Sequence, residues 1–259
     1  MIPMKRALIL AAGIGRRLGD LTKDIPKCLL QVNNEEEDNT LIDFSLSSLK
    51  ENGIEEIIIV SGFAEEKLKT HILKRRETQF SFQFIFNNKY SKHNNIYSAY
   101  LAKDLINDET VLLNSDIIFH PLILKNLVSV IRKEKYQRSY LVIDDKKSLT
   151  TESMKVSLNE KGEIKKINKN LNLKNSFGEY IGITYLRGSD RLSFVNSLME
   201  HIGNKNLDLY YEDALASVLK DISVFPFSTE GKLWTEIDTK EDYTFAKKIA
   251  RKIKEAAVL

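Results

Sequence analysis

Apolar and polar positions along this chain fall into two alternating periods. Ala7 to Leu10 is a short apolar run that suits a buried strand, and Ile57 to Val60 is another. Between them, Leu41, Ile42, Leu46 and Leu49 make a helical stripe, with Asn39 or Thr40 as its cap and Gly53 as its stop. Ala64 to Arg76 is amphipathic at helical spacing, whereas Phe80, Phe82, Phe84 and Phe86 recur at period two and predict a strand. The same reading predicts helices over Ile96 to Leu105 and Pro121 to Glu134, and strands over Thr110 to Leu113 and Ser139 to Ile143. Strands that alternate with helices predict a parallel sheet covered on both faces.

After about Asp144 the pattern changes. Met154 to Leu158, a turn at Asn159 to Gly162, and Ile164 to Ile167 predict a hairpin, while the polar, basic stretch Lys165 to Lys174 reads as an exposed loop. A strand is predicted over Tyr180 to Leu186, helices over Leu192 to His201 and Glu212 to Leu219, a strand over Ile222 to Phe225, and a lysine-rich helix over Lys240 to Ala256. Gln31 to Thr40 reads as an acidic surface loop. There is no internal repeat and no dividing linker, so a single domain over residues 1–259 is expected. The pattern does not set the strand order.

Composition sets bounds. At 259 residues, with 42% hydrophobic and 29% charged residues, the chain suits an ordinary globular α/β domain with a full core. A net charge of +3 gives no argument for a nucleic-acid or membrane partner. The single cysteine, Cys28, excludes an internal disulfide framework and a cysteine-based zinc site. Cys28 has no histidine near it in sequence and is not expected to be a nucleophile. No apolar run approaches the ~18 residues of a membrane span. Met1 to Arg6 leads straight into the first strand and leaves no room for a signal peptide, so a cytoplasmic protein is expected.

The chemistry concentrates where the first strand ends. Ala11-Ala12-Gly13-Ile14-Gly15 is a glycine loop whose amides can approach phosphate oxygens. Arg16 and Arg17 add cationic forks suited to a polyphosphate, and Lys27 adds a point charge after Pro26. A dinucleotide fingerprint needs a glycine where Leu18 stands, and a P-loop needs Gly-Lys-Ser/Thr, so both are excluded. Asp116 follows the strand Val111 to Leu113, at the strand end where open α/β sheets bind ligands. Asp238 ends the strand-like run from Trp234, although Asp238 to Glu241 also fits a capping box.

Leu10-Ala11-Ala12-Gly13-Ile14-Gly15-Arg16-Arg17-Leu18 and Pro26-Lys27-Cys28-Leu29 resemble the signature of the nucleotidyltransferases that activate sugar phosphates and phosphoalcohols. The resemblance implies a three-layer α/β/α, Rossmann-like nucleotide-diphospho-sugar transferase fold with a mixed, mostly parallel sheet. Residues from about 1 to 143 would bind nucleotide and those from about 144 to 259 the acceptor. It also implies that Asp116 and Asp238 hold one Mg²⁺, that Lys27 stabilises charge at the α-phosphate, and that Arg17 and the amides of Gly13 to Arg16 hold the β and γ phosphates. An acceptor phosphate oxygen would attack the α-phosphorus and pyrophosphate would leave. The acceptor is already an anion, so no general base is needed.

Later motifs narrow the resemblance. Ser61-Gly62-Phe63 matches a family turn near the base. His93-Asn94-Asn95-Ile96-Tyr97-Ser98 resembles a segment of the phosphocholine cytidylyltransferase branch, which places Asn95 and Ser98 against nucleotide or acceptor. Met154-Lys155-Val156, Lys169 and Gly178-Glu179-Tyr180-Ile181-Gly182 are the acceptor-side candidates. Lys155 or Lys169 would bind the acceptor phosphate, and Glu179 and Tyr180 an ammonium group. The expected partners are CTP and a small phosphocholine-like acceptor, in a monomer or homodimer. The alternatives are a sugar-1-phosphate nucleotidyltransferase making an NDP-sugar and a non-catalytic nucleotide-sensing subunit. A sensor has no need to keep both metal carboxylates.

Overall fold

A computed structural model describes residues 4–33, 39–75, 79–133 and 138–257. Its elements in chain order are β1 (Arg6–Ala11), α1 (Leu41–Glu51), β2 (Glu56–Ser61), α2 (Glu65–Lys74), β3 (Ser81–Phe86), α3 (Asn95–Leu101), β4 (Thr110–Asn114), β5 (Ile117–Phe119) and α4 (Pro121–Lys133). They continue with β6 (Ser139–Asp144), β7 (Lys155–Leu158), β8 (Ile164–Asn168), β9 (Gly178–Tyr185), α5 (Gly188–Gly203), α6 (Tyr211–Val218), β10 (Val224–Ser228), β11 (Trp234–Glu236) and α7 (Lys240–Ala257).

The main sheet runs β10-β6-β9-β4-β1-β2-β3, so strands from both halves of the chain share it. Neighbours pair in parallel except at β9, which is antiparallel to both β4 and β6. The β7–β8 hairpin joins through β7 to β9. Side chains alternate between the faces of each strand. Ile9, Ile57, Ile59 and Leu113 bury against α1, α2 and α4, while Leu8, Leu10, Ile58 and Leu112 bury against α3, α5 and α6. These are the expected three layers.

Local chemistry explains the element ends. Thr40 caps α1 by accepting from the Asp43 amide, and Asp43 accepts in return from the Thr40 amide. Three expectations change. Lys165 to Asn168, read as loop, belongs to β8, because Ile164 and Ile167 anchor the strand in the core. Helix α5 starts at Gly188 rather than Leu192, and the Ile96 to Leu105 helix is α3 followed by a separate 3₁₀ turn, Lys103–Leu105. The ends of the predicted helices at Arg76 and Glu134, and the middle of the Gln31–Thr40 loop, lie outside the described residues.

The last helix covers a third apolar cluster. Ala246, Ile249, Ala250 and Ile253 of α7 recur at helical spacing and pack on Leu18, Leu30, Leu41, Phe44 and Ile118. Burying each isoleucine there contributes about 1.5–3 kcal/mol. No helix among the described residues is long and apolar enough to cross a membrane.

Candidate active site

A cavity of about 270 Å³ opens where β1 and β4 end. Its lining draws on both halves of the chain, including Leu10, Ala11, Ala12, Gly13, Arg17 and Lys27 on one side and Asn114 to Asp116, Lys169, Glu212, Glu236 and Asp238 on the other.

The glycine loop is shaped by close approach. Gly15 has φ +70, and a Cβ on it would come within 3.2 Å of Lys27 Cβ. The left-handed backbone therefore needs glycine, and its bare edge lets Lys27 pack. The structure divides the loop: Leu10 to Gly13 and Arg17 line the cavity, whereas Ile14, Gly15 and Arg16 line a shallower neighbour beside Tyr90, Ser91 and Lys92. Arg16 Nη2 donates to the Ser91 carbonyl at 3.2 Å. Gly62 does not reach the cavity wall. A Cβ on it would meet Ala12 O and Tyr90 Cβ, each at 2.7 Å, so Gly62 lets β2 pass directly behind the loop.

Lys27, Asp116 and Asp238 come together despite their distance in sequence. Lys27 Nζ lies 2.9 Å from Asp116 Oδ2 and 2.8 Å from Asp238 Oδ1, and Arg17 Nη2 lies 2.8 Å from Asp238 Oδ2. A small ribbon makes this possible. β5 pairs antiparallel with β11, Ile117 opposite Glu236, and the Ile237 amide donates to the Asp116 carbonyl at 2.9 Å. The capping reading of Asp238 is replaced by a neighbouring pair: Thr239 Oγ1 accepts from the Asp242 amide at 3.2 Å, and Asp242 Oδ2 accepts from the Thr239 amide at 2.8 Å. That box starts α7 and leaves the Asp238 carboxylate to the cavity.

Burial opposes the charge on Lys27, but Asp116 and Asp238 outweigh it and hold the ammonium well above its ordinary value. Burial likewise opposes the Asp238 charge, and Lys27 and Arg17 hold its carboxyl below the usual range. Glu236 was not singled out from sequence. Desolvation, then the charges of Asp116 and Asp238, hold its carboxyl above the usual range. Asp116, Glu236 and Asp238 offer carboxylate oxygens within 4.8 Å of one another. Asp116 Oδ1 is buried and has no hydrogen-bond partner among the described residues. Hard oxygen donors and an orphaned carboxylate oxygen fit a divalent cation such as Mg²⁺.

The remaining candidates separate. Asn95 and Ser98 both line the cavity; Asn95 Oδ1 accepts from the Tyr211 amide at 2.9 Å, and Ser98 Oγ accepts from Asn87 Nδ2 at 3.0 Å. Lys169 lines the cavity, with its Nζ 5.8 Å from the Tyr210 ring centroid. Lys155 does not: it is 1% exposed, and its Nζ donates to the carbonyls of Thr150, Thr151 and Ser153 at 3.2, 3.0 and 3.0 Å. It staples the loop before β7.

Tyr180 lines the cavity, with its hydroxyl 2.7 Å from that of Tyr211. Glu179 is absent from the lining and instead pairs with Lys147, whose Nζ lies 3.6 Å from its Oε2. The carboxylate that does reach this end is Glu212, at the start of α6. Burial pushes it up to about 7, against hydrogen bonds from its own amide and from the Tyr211 side chain that work the other way. Cys28 is buried and its thiol is pushed up to about 12 by that burial, which suits an inert residue.

A glycine loop, a lysine between two aspartates and a three-carboxylate cluster lie together at the strand ends, a chemistry that suits a polyphosphate and a hard cation. The family model described as nucleotidyl transferase matches residues 6–168, and the chain belongs to that family. It is close to the phosphocholine cytidylyltransferase branch. The chain is 27% identical over 245 residues to the choline-phosphate cytidylyltransferase of Streptococcus pneumoniae, covering 92% of this chain and 95% of the relative. It is 28% identical over 258 residues to the CTP:phosphoglutamine cytidylyltransferase of Campylobacter jejuni, covering 91% and 96%. The solved CTP:phosphocholine cytidylyltransferase from Streptococcus pneumoniae superposes with a TM-score of 0.74 at 26% identity, covering 95% of this chain and 98% of that one.

Proposed function

We propose that the protein transfers a cytidylyl group from CTP to a small phosphorylated alcohol or phosphonate of the phosphocholine kind, giving a CDP-alcohol and pyrophosphate. The observation that carries the reading is Lys27 held between Asp116 and Asp238 in the cavity that the glycine loop lines. The choice of CTP and of a phosphorylated acceptor is supported by the relatives' names.

In this reading the amides of Leu10 to Gly13 and the guanidinium of Arg17 bind the triphosphate. Lys27 leaves its carboxylates to meet negative charge that grows at the α-phosphate. Lys169, on the acceptor side, binds the attacking phosphoryl group. No residue needs to remove a proton, because the attacking oxygen is already anionic. Asp116 and Asp238, with Glu236 beside them, would hold Mg²⁺, which supplies charge neutralisation shared by the two phosphate substrates when bound.

The test is a matrix of nucleoside triphosphates against phosphocholine, 2-aminoethylphosphonate, inositol-1-phosphate and glucose-1-phosphate, scored for pyrophosphate and for the nucleotide product by mass. CTP with one of the first two acceptors is expected to dominate kcat/KM. A preference for glucose-1-phosphate overturns the acceptor assignment, and no pyrophosphate with any pair overturns the enzyme reading.

A further inference from the structure

We infer that the protein forms a two-fold dimer in which the outer edges of β3 from two copies pair antiparallel, Phe84 against Phe84, and join the two main sheets into one.

The main sheet has two outer edges, and the sequence treats them differently. β10 is one of them, and the Thr229 amide that follows it donates to the Ile143 carbonyl of β6 at 2.9 Å. The backbone groups of successive residues in a strand point to opposite sides, so Val224, Pro226 and Ser228 face outward. Proline has no N–H, and the outer edge of β10 is blunted at its middle. β3 is the other edge. The Ser81 amide donates to the Glu55 carbonyl and the Asn87 amide to the Ser61 carbonyl, each at 2.8 Å. Phe82, Phe84 and Phe86 therefore turn their N–H and C=O groups outward, and no strand among the described residues pairs with them. Ser81 to Phe86 contains no proline and no charged residue, so the strand carries none of the residues that blunt an edge.

The surroundings fit a second copy. Phe86 is 49% exposed, and Leu73 of α2 is 63% exposed. Leu73 lies one turn along α2 from Lys69, whose Nζ is 5.7 Å from the Phe84 ring centroid, so it stands on the side of the helix that borders this edge. Ser61 pairs with Phe86 in register, and Ser61 Oγ donates to Glu65 Oε1 at 2.8 Å. The start of α2 thus lies at the Phe86 end of β3. Antiparallel pairing about Phe84 sets Phe86 opposite the partner's Phe82, which gives aromatic pairs along the whole contact. It also runs the two α2 helices antiparallel. The acidic first turn of each, Glu65 and Glu66, then lies toward the basic last turn of the other, and opposite helix poles meet. Lys69 brings no bare charge to the two-fold axis, because Glu65 Oε1 and Glu66 Oε1 lie 2.9 and 3.6 Å from its Nζ. Such a contact closes on itself. The joined sheet ends on both sides in a proline-bearing β10 and offers no edge for further growth.

Sedimentation equilibrium on the full chain at about 50 μM reads the oligomeric state, and the wild type is expected to be a dimer. Phe84→Pro copies the device seen in β10. It should give a monomer that keeps its circular dichroism spectrum, since the Phe84 amide makes no bond to β2. Phe86→Lys, at a half-exposed position, should give the same result and stands in if the proline variant does not fold. Cross-linking reads the register. Directly paired residues in such a ladder have Cα atoms ~5.5 Å apart, within disulfide reach. Cys28 is buried, so a thiol introduced at the edge is the one that reacts. Phe84→Cys is expected to give a covalent dimer under mild oxidation, whereas Phe82→Cys, which lies opposite a phenylalanine, is not. A wild type that is monomeric at that concentration overturns the inference and leaves the edge to a strand of another protein. A dimer that persists in Phe86→Lys, that Phe84→Cys does not cross-link, or that Phe82→Cys cross-links as readily, is built on another contact and overturns it as well.

Discussion

Lys27 Nζ lies 2.8 Å from Asp238 Oδ1, an ion pair between residues 211 positions apart in the chain. Asp116 Oδ2 lies 2.9 Å from the same nitrogen. The lysine therefore neutralises two of the three carboxylates that a metal ion would use, and two cations compete for one set of oxygens.

Replacing Lys27 by Met should accordingly tighten Mn²⁺ binding to the free protein, read by electron paramagnetic resonance, by roughly tenfold. The same change should lower turnover by about a hundredfold or more, because charge at the α-phosphate goes unmet. Unchanged or weaker Mn²⁺ binding would show that these carboxylates do not hold the metal.

Asp116→Asn and Asp238→Asn each keep the side-chain shape and remove a metal oxygen's charge. Turnover at saturating Mg²⁺ is expected to fall by about a hundredfold or more in each, with the circular dichroism spectrum retained. Near-normal turnover in either variant refutes its role.

The two lysines assigned to the acceptor phosphate from sequence should now part company. Lys155→Met leaves the carbonyls of Thr150, Thr151 and Ser153 without their shared donor, and should cost about 1–3 kcal/mol in urea unfolding with the acceptor KM unchanged. Lys169→Ala should raise the acceptor KM while moving stability by no more than about 0.5 kcal/mol. The opposite pattern would return the binding role to Lys155.

Glu212 makes stability depend on pH. Its carboxyl is raised from 4.5 to about 7 on folding, so the folded state binds more protons across that window. Stability then falls as pH rises through it and levels off above, by on the order of 3 kcal/mol. Glu212→Gln carries no charge and should lose this slope, gaining on the wild type from pH 5 to pH 8 in metal-free unfolding. Parallel profiles for the two proteins would contradict the assignment.

Most of the fold was legible because it is written in short range. The period-two split of Leu8 and Leu10 from Ile9 already separates the two sides of the sheet. The glycine loop declares itself within a few residues. β5 did not, since Ile117 to Phe119 is all buried and too short to show a period, yet its pairing with β11 is what sets Asp116 beside Asp238. Two signals were present and went unread. Glu179 and Tyr180 are adjacent on a strand and so cannot share a face, and Glu236, two residues before Asp238 on an extended run, had to share one with it. Glu212 had no local signal, because its burial comes from α6 packing against α3 and α5, which no window of sequence contains.

The ribbon of β5 and β11 also orders events in time. The ribosome makes the glycine loop, Lys27 and Asp116 in the first half of the chain, but Glu236 and Asp238 emerge only near the end. A nascent chain in between carries the proposed phosphate-binding groups without the two carboxylates that complete the acidic cluster. Of the two aspartates that Lys27 pairs with among the described residues, Asp116 is made first. The three-carboxylate cluster is complete only after the return of a three-residue strand late in synthesis.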